Sequence, residues 1–343
     1  MRVAILSDTH GNLPAAEAVL ADIAKQGVDY VVAAGDLALR GAHPRETVEL
    51  LFDRCDAVVM GNTDAYIAGH YLSGAYREPL HWKRNLLEWT RRELGPELVA
   101  RIGALPFSVR YTPRRGQDLF ICHANPRNLE DSMDPTLDEA TVRRYLHNVD
   151  ATAVAFGHLH FPYRRKVGRM LIADVASAGI PRDGDLRPAY GIFTWNQRGW
   201  RVQIRRVRYP VRKATQALNG RRVPGGPLLV HKLIEARYRH HGELQASARK
   251  HSGLPPLQRP TLIRPPGSKP KPMEVIGAAL DVEDSVPQGT PLSREEGRAL
   301  LERHDAAGPS KAAGPSKEEP TSTTDPGRPP VSSSPPAGDP PES

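Results

Sequence analysis

Disulfide-forming cysteine is the first thing this sequence lacks: only Cys55 and Cys122 occur, and neither sits in a CxxC or other paired spacing. That excludes a disulfide framework and a thiolate-based structural zinc site. Long apolar runs are missing as well. No stretch approaches the ~18 residues of a membrane span, and Met1 leads at once into the strand-like Val3-Ala4-Ile5-Leu6, without an apolar leader or a small-residue cleavage site. The expectation is a cytoplasmic protein that does not engage a membrane. Acidic side chains are scarce over residues 198–250, where 14 Lys/Arg stand against 2 Asp/Glu. Residues 1–197 hold 23 against 24 and residues 251–343 hold 10 against 13, so the net charge of +8 is local. A segment of that kind is open to nucleic acid or an acidic partner, although no RNA-binding signature accompanies it. A solvated helix face and sheet edge is the plainer reading.

What is present divides the 343-residue chain into three parts. Over residues 1–210, short apolar runs alternate with helical patterns, the signature of strands crossed over by helices. Strands are expected at 3–6, 30–34, 57–60, 107–111, 118–122, 153–156, 163–167, 170–174, 190–195 and 200–207. Helices are expected at 13–25, 44–54, 81–104, with a break at Gly95-Pro96, and 137–146. Two sheets with outer helices accommodate this count. Residues 211–250 read as a basic helical extension, with helices at 211–218 and 227–238, packing on or next to the first part. Residues 251–343 hold 19 of the 33 prolines and a tandem repeat, Ala306–Lys311 followed by Ala312–Lys317. So few apolar side chains do not offset the entropy of ordering this tail, which is expected to be disordered, apart from a capped helical pattern at 293–303.

The polar clusters sit immediately after apolar strands. Asp8-Thr9-His10 follows the first, Gly35-Asp36 the second and Gly61-Asn62 the third; His123 and Gly157-His158-Leu159-His160 end two later strands. Strand C-termini of an α/β sheet open onto a common crevice, so residues far apart in sequence converge there. Singly, each cluster is an ordinary turn or cap. In conjunction they supply carboxylate and amide oxygens mixed with neutral imidazoles and no thiolate. That set suits two divalent ions, with Mn first and Fe, Co, Ni or Zn as alternatives. Two such ions clamp the attacking and leaving oxygens of a phosphoryl group and generate hydroxide near neutral pH.

These residues resemble the calcineurin-like metallophosphoesterase superfamily over residues 1–210, and within it the small bacterial and archaeal phosphodiesterase-like branch. Asp8-Thr9-His10-Gly11-Asn12, Gly35-Asp36-Leu37, Gly61-Asn62-Thr63-Asp64, Gly157-His158-Leu159-His160 and the Ser177–Gly184 segment carry the likeness. The resemblance implies a four-layer αββα sandwich of two mixed sheets. It implies that Asp8, His10, Asp36 and His160 hold one metal, and that Asp36 bridges to a second held by Asn62, His123 and His158. A metal-bridging hydroxide then attacks a small phosphoester or nucleotide-like substrate in line. A protein Ser/Thr phosphatase, a dinucleoside polyphosphate hydrolase and a non-catalytic interaction protein on the same fold are the alternatives. Two departures stand out. Thr63 replaces a His that serves many members as general acid, which favours diesters or activated esters over monoesters. Asp174-Val175-Ala176 replaces Asn-Pro-Gly. On the same resemblance Asp36, Asn62 and His123 are the candidate catalytic residues; Asn62 is also a candidate substrate contact, as are Arg40, Thr63, Asp64 and Asn125 beside the ligands in sequence, for which turn or supporting roles are the plainer reading.

Overall fold

The computed structural model describes residues 1–236 and 261–262. Its first sheet is assembled from β1 (Arg2–Leu6), β2 (Tyr30–Ala33), β3 (Ala57–Val58), β9 (Ala189–Asn196) and β10 (Gly199–Arg206), in the order β10-β9-β1-β2-β3. The second contains β4 (Ser108–Tyr111), β5 (Leu119–Cys122), β6 (Ala153–Phe156), β7 (Tyr163–Val167), β8 (Met170–Asp174) and β11 (Thr261–Leu262), in the order β11-β4-β5-β6-β8-β7. Both sheets are mixed. β1 pairs parallel with β2 but antiparallel with β9, and β5 pairs parallel with β6 but antiparallel with β4.

Side-chain alternation explains why the two sheets must stack. In β1, Val3 and Ile5 point to one face while Ala4 and Leu6 point to the other, and all four are fully buried. Val3 and Ile5 meet Leu119 and Ile121 of β5 and Ala153 and Ala155 of β6 between the sheets. Strands buried on both faces read as continuous apolar runs, which is how β1, β5 and β6 look in the sequence. The opposite face of the first sheet is covered by α1 (Leu13–Ala24), α2 (Pro44–Arg54), α4 (Trp82–Gly103), α6 (Val211–Gly220) and α7 (Gly226–Glu235). The opposite face of the second packs Phe120, Val154 and Phe156 against Val142 and Tyr145 of α5 (Glu139–Leu146). The four layers are those of an αββα sandwich.

Several elements differ in detail from the sequence pattern. The third strand contributes two ladder residues instead of four, and a seven-residue helix, α3 (Asn62–Ala68), begins at the expected ligand Asn62, where the sequence pattern gives no helix. α4 runs through Gly95-Pro96, but Gly95 (φ 75°) kinks it there. α6 and α7 share the core of the first helical layer through Val211, Ala214, Leu218, Leu229 and Leu233. Of the tail, Thr261–Leu262 pair parallel with Val109–Arg110. The expected helix at 293–303 lies outside the described residues, as does the end of the one expected at 227–238. Among the described residues no helix is long and apolar enough to cross a membrane.

Candidate metal centre

Because β1, β2 and β3 run parallel, their C-terminal ends share one edge, and the parallel pair β5–β6 delivers its ends beside it. Short loops from these five ends bring Asp8, His10, Asp36, Asn62, His123, His158 and His160 together. All are buried except His158, which is half-buried. The loops turn sharply. Asp8, His10, Asp36, His158 and His160 all lie at positive φ, between 49° and 73°. Left-handed backbone at a non-glycine residue costs on the order of 1 kcal/mol or more and persists only where the surroundings impose it. Two glycines show how tightly the loops cross: a Cβ on Gly61 would overlap Asp36 Oδ1, and one on Gly157 would overlap Ser7 Oγ and Asp8 Oδ2.

Each imidazole uses one nitrogen outward and turns the other inward. His10 Nδ1 meets Leu39 O at 2.8 Å, His160 Nδ1 meets Ile180 O at 2.6 Å, and His123 Nδ1 meets Ala34 O at 2.8 Å. His158 is reversed, with Nε2 on Glu130 O at 3.0 Å. A carbonyl only accepts, so in each ring the outward nitrogen carries the proton and the inward one presents a lone pair. These lone pairs face one another, at 3.1 Å between His10 Nε2 and His160 Nε2 and 3.2 Å between His158 Nδ1 and His123 Nε2.

The carboxylates complete the cradle. Asp8 Oδ2 accepts the N–H of His158 at 2.9 Å. Its buried Oδ1 has no donor and lies 3.1 Å from His160 Nε2 and 3.7 Å from His10 Nε2. Asp36 stands between the two halves, with Oδ2 3.6 Å from His10 Nε2 and Oδ1 3.4 Å from His123 Nε2. Asn62 turns its amide oxygen inward, 3.2 Å from His123 Nε2, and donates through Nδ2 to Tyr66 OH at 3.2 Å. Lone pairs facing lone pairs inside a buried site are unfavourable unless a cation lies among them. Two triads could each hold an ion, Asp8-His10-His160 and Asp8-Asp36-His123. The donor set therefore fits divalent metal.

Protonation favours the same use. Burial, together with the charge of Arg40, holds His10 well below the ordinary imidazole range, and burial next to His123 pulls His158 down to about 3, so both are neutral ligands near pH 7. Burial acts to raise Asp8, but the surrounding imidazoles of His160, His123 and His10 hold it far below the usual carboxylate range. For His123, burial pulls downward while Asp36 and Asp8 more than offset it and raise the group.

The remaining sequence candidates occupy different places. Asp64 is fully buried beneath the loops, where its two oxygens accept the N–H groups of Asp36 (2.7 Å), Gly61 (2.9 Å) and Leu37 (3.0 Å). Asn125 likewise closes a turn, accepting from Arg127 and Asn128 and donating to Asp131 O. Thr63 is fully buried. Its N–H donates to Asp36 Oδ1 at 2.9 Å, and its hydroxyl has no partner. Arg40 is half-buried at the rim, at φ 93°, with Nε 3.5 Å from Tyr76 OH. Its charge bears on His10, and Tyr76 and Asp36 keep it protonated against the pull of burial.

Three further residues support the site, of which only Ser177 lies in a segment marked in the sequence. Ser177 Oγ donates to Asp8 O at 2.7 Å and accepts the N–H groups of Gly179 and Ile180, so the Ser177–Gly184 segment braces the first ligand loop. Tyr66 receives Asn62, and Glu130 receives both Tyr66 and His158. One turn of helix separates Asn62 from Tyr66, a spacing that would have pointed to the pair had α3 been recognised. Glu130 carries no such local signal.

A family model described as calcineurin-like phosphoesterase matches residues 1–162. An uncharacterised protein of Methanocaldococcus jannaschii is 27% identical over 239 residues, which cover 65% of this chain and 93% of the relative. The phosphodiesterase YfcE of Escherichia coli K12 is 26% identical over 207 residues, covering 56% and 87%. Among solved structures, a metallophosphoesterase from Sphaerobacter thermophilus superposes with a TM-score of 0.56 at 26% identity, covering 69% of this chain and 99% of that one.

Proposed function

We propose that this chain is a calcineurin-like phosphoesterase, a metal-dependent phosphoester hydrolase like the family and the relative it matches, and that it acts as a dinuclear phosphodiesterase. The observation that carries the reading is the position of Asp36 between His10 and His123, with inward lone pairs on either side. Asp8, His10, Asp36 and His160 would hold one ion, and Asp36, Asn62, His123 and His158 the other. Such ions supply positive charge to a phosphoryl group and a water acidified to near neutral pH. Mn is our first choice because oxygen and imidazole donors are present without thiolate.

The chain's own residues narrow the chemistry further. Among the described residues, the hydroxyls next to the candidate ligands in sequence are engaged or enclosed: Ser7 donates to Ala34 O, Thr9 to Leu37 O and Ser177 to Asp8 O, while Thr63 is sealed from solvent. The nucleophile is therefore water-derived and attacks phosphorus in line. Arg40, cationic and half-buried near His10, would offer its charge to a bound phosphate. Thr63 provides no acid for an alkoxide leaving group, which favours diesters and other activated phosphoesters. The two cysteines, both unpaired thiols, support a cytoplasmic setting.

The test is a metal-stripped full-length chain reloaded with Mn, Co, Ni or Zn. It is offered bis(p-nitrophenyl) phosphate, p-nitrophenyl phosphate, a phosphopeptide and a dinucleoside polyphosphate. We expect the diester to be cleaved at least ~100-fold faster than the monoester, the lower end of what a general acid contributes. Absence of diester hydrolysis with metal bound sinks the reading, and a preference for phosphopeptide or dinucleotide moves the assignment to a protein phosphatase or a polyphosphate hydrolase.

A further inference from the structure

Asn62 is chemically ambivalent, and the residues behind it decide how it stands. Turned over, its NH2 would donate to Asp36 at 3.2 and 3.3 Å and to His123 Nε2 at 3.2 Å, and its oxygen would accept from Tyr66 OH at 3.2 Å. One orientation offers an oxygen ligand. The other places two protons where a cation belongs. The choice depends on where Tyr66 sends its single hydroxyl proton. Tyr66 is 2% exposed, and its hydroxyl donates to Glu130 Oε1, with Ser73 Oγ also in contact. A carboxylate accepts, so the proton goes to Glu130 and a lone pair is left for the Asn62 NH2. The same Glu130 fixes a second ligand, because its main-chain oxygen takes the Nε2–H of His158 and leaves Nδ1 inward.

We infer that Tyr66 and Glu130 are positioning residues that set the hydrogen-bond polarity of the second cation site, holding Asn62 oxygen-inward. This rests on the two-metal reading above. Outer partners of metal ligands typically change affinity by ~10–100-fold when removed. The first triad, Asp8-His10-His160, is held instead by Leu39 O, the His158 N–H and Ile180 O, with no hydrogen bond from Tyr66 or the Glu130 side chain among the described residues.

The experiment is calorimetric titration of Mn2+ into the metal-free full-length chain, with electron paramagnetic resonance to follow coupling between ions. Wild type, Tyr66→Phe and Glu130→Met are compared. Tyr66→Phe keeps the ring and its packing, while Glu130→Met removes the acceptor but keeps the main-chain carbonyl that His158 uses. We expect two ions in wild type. In both variants the first ion should bind with unchanged affinity and the second ~10–100-fold more weakly, with the coupled signal lost at equal metal. A second ion bound as tightly as in wild type overturns the inference, as does equal weakening of both ions, which marks a general structural role. Fewer than two ions in wild type overturns the two-metal reading itself.

Discussion

Four imidazoles each give one nitrogen to a backbone carbonyl, and that arrangement does more than collect ligands: it fixes which atom of each ring faces inward before any ion arrives. Preorganised lone pairs and carboxylates are costly in the absence of a cation, and strained backbone at five of the seven ligand positions adds to the cost. Thr63 shows the opposite case, a polar group at the site without a visible task. Its hydroxyl is fully buried and unpartnered. Replacing it by the isosteric Val therefore removes an unsatisfied group, and Thr63→Val should be neutral or stabilising by about 1 kcal/mol. Diesterase kcat should stay within about threefold of wild type, less than the smallest usual loss of an acid–base group. A tenfold or greater fall in kcat with unchanged metal content would show that the hydroxyl serves the reaction.

At the scale of elements, the crevice depends on the first sheet keeping its register with the helices behind it. One polar tie stands out there. Asp22 of α1 accepts from Tyr190 OH of β9 at 2.6 Å and from Arg205 of β10 at 2.9 and 3.2 Å. Burial acts to raise Asp22, but the hydrogen bonds from Arg205 and Tyr190 prevail and lower it. A depressed carboxylate contributes its stability above the unfolded pKa of about 3.9 and loses it as pH falls through the lower folded value. Asp22→Asn should cost on the order of 1 kcal/mol at pH 7, discounted because the pair is partly exposed. Denaturant titrations of both proteins should show that gap narrowing as pH falls below the unfolded value; a gap that stays the same size from pH 7 into acid contradicts the tie. Such a link is invisible locally, since Asp22 and Arg205 lie 183 residues apart. What periodicity revealed well were β1, β5 and β6, whose apolar runs are buried on both faces. It missed α3, too short for a periodic pattern and begun by a Gly-Asn pair that looks like a turn. The convergence of the seven candidate residues was legible because motif spacing and strand ends coincide. The roles of Asp64 and Asn125 were not, because adjacency in sequence says nothing about whether a carboxylate or amide faces the crevice or the backbone beneath it.

For the whole molecule, the basic stretch illustrates how charge counts and structure diverge. Arg205 pairs with Asp22, Arg206 with Asp183, and Arg221 with Glu46 and Glu93, so part of the excess is neutralised by acids from distant segments. The two sheets are also tied together at the candidate metal centre, where loops from both meet. Binding of divalent ions to the folded state alone stabilises it by RT ln(1 + [L]/Kd) per site, about 2.7 kcal/mol at a hundredfold excess over Kd. Chelation should therefore lower the melting temperature, and Mn2+ filling both sites should restore it by about 10–20 °C. A melting temperature indifferent to chelator and metal would place no ion at these residues.

The most direct measurement is the rate of bis(p-nitrophenyl) phosphate hydrolysis as Mn2+ is added stepwise to the metal-free full-length chain, beside Asp36→Asn. The account predicts a rate that is negligible without metal, that saturates only as the second equivalent binds, and that falls at least ~100-fold in Asp36→Asn. Full activity with one ion or none, or wild-type activity in Asp36→Asn, would contradict it.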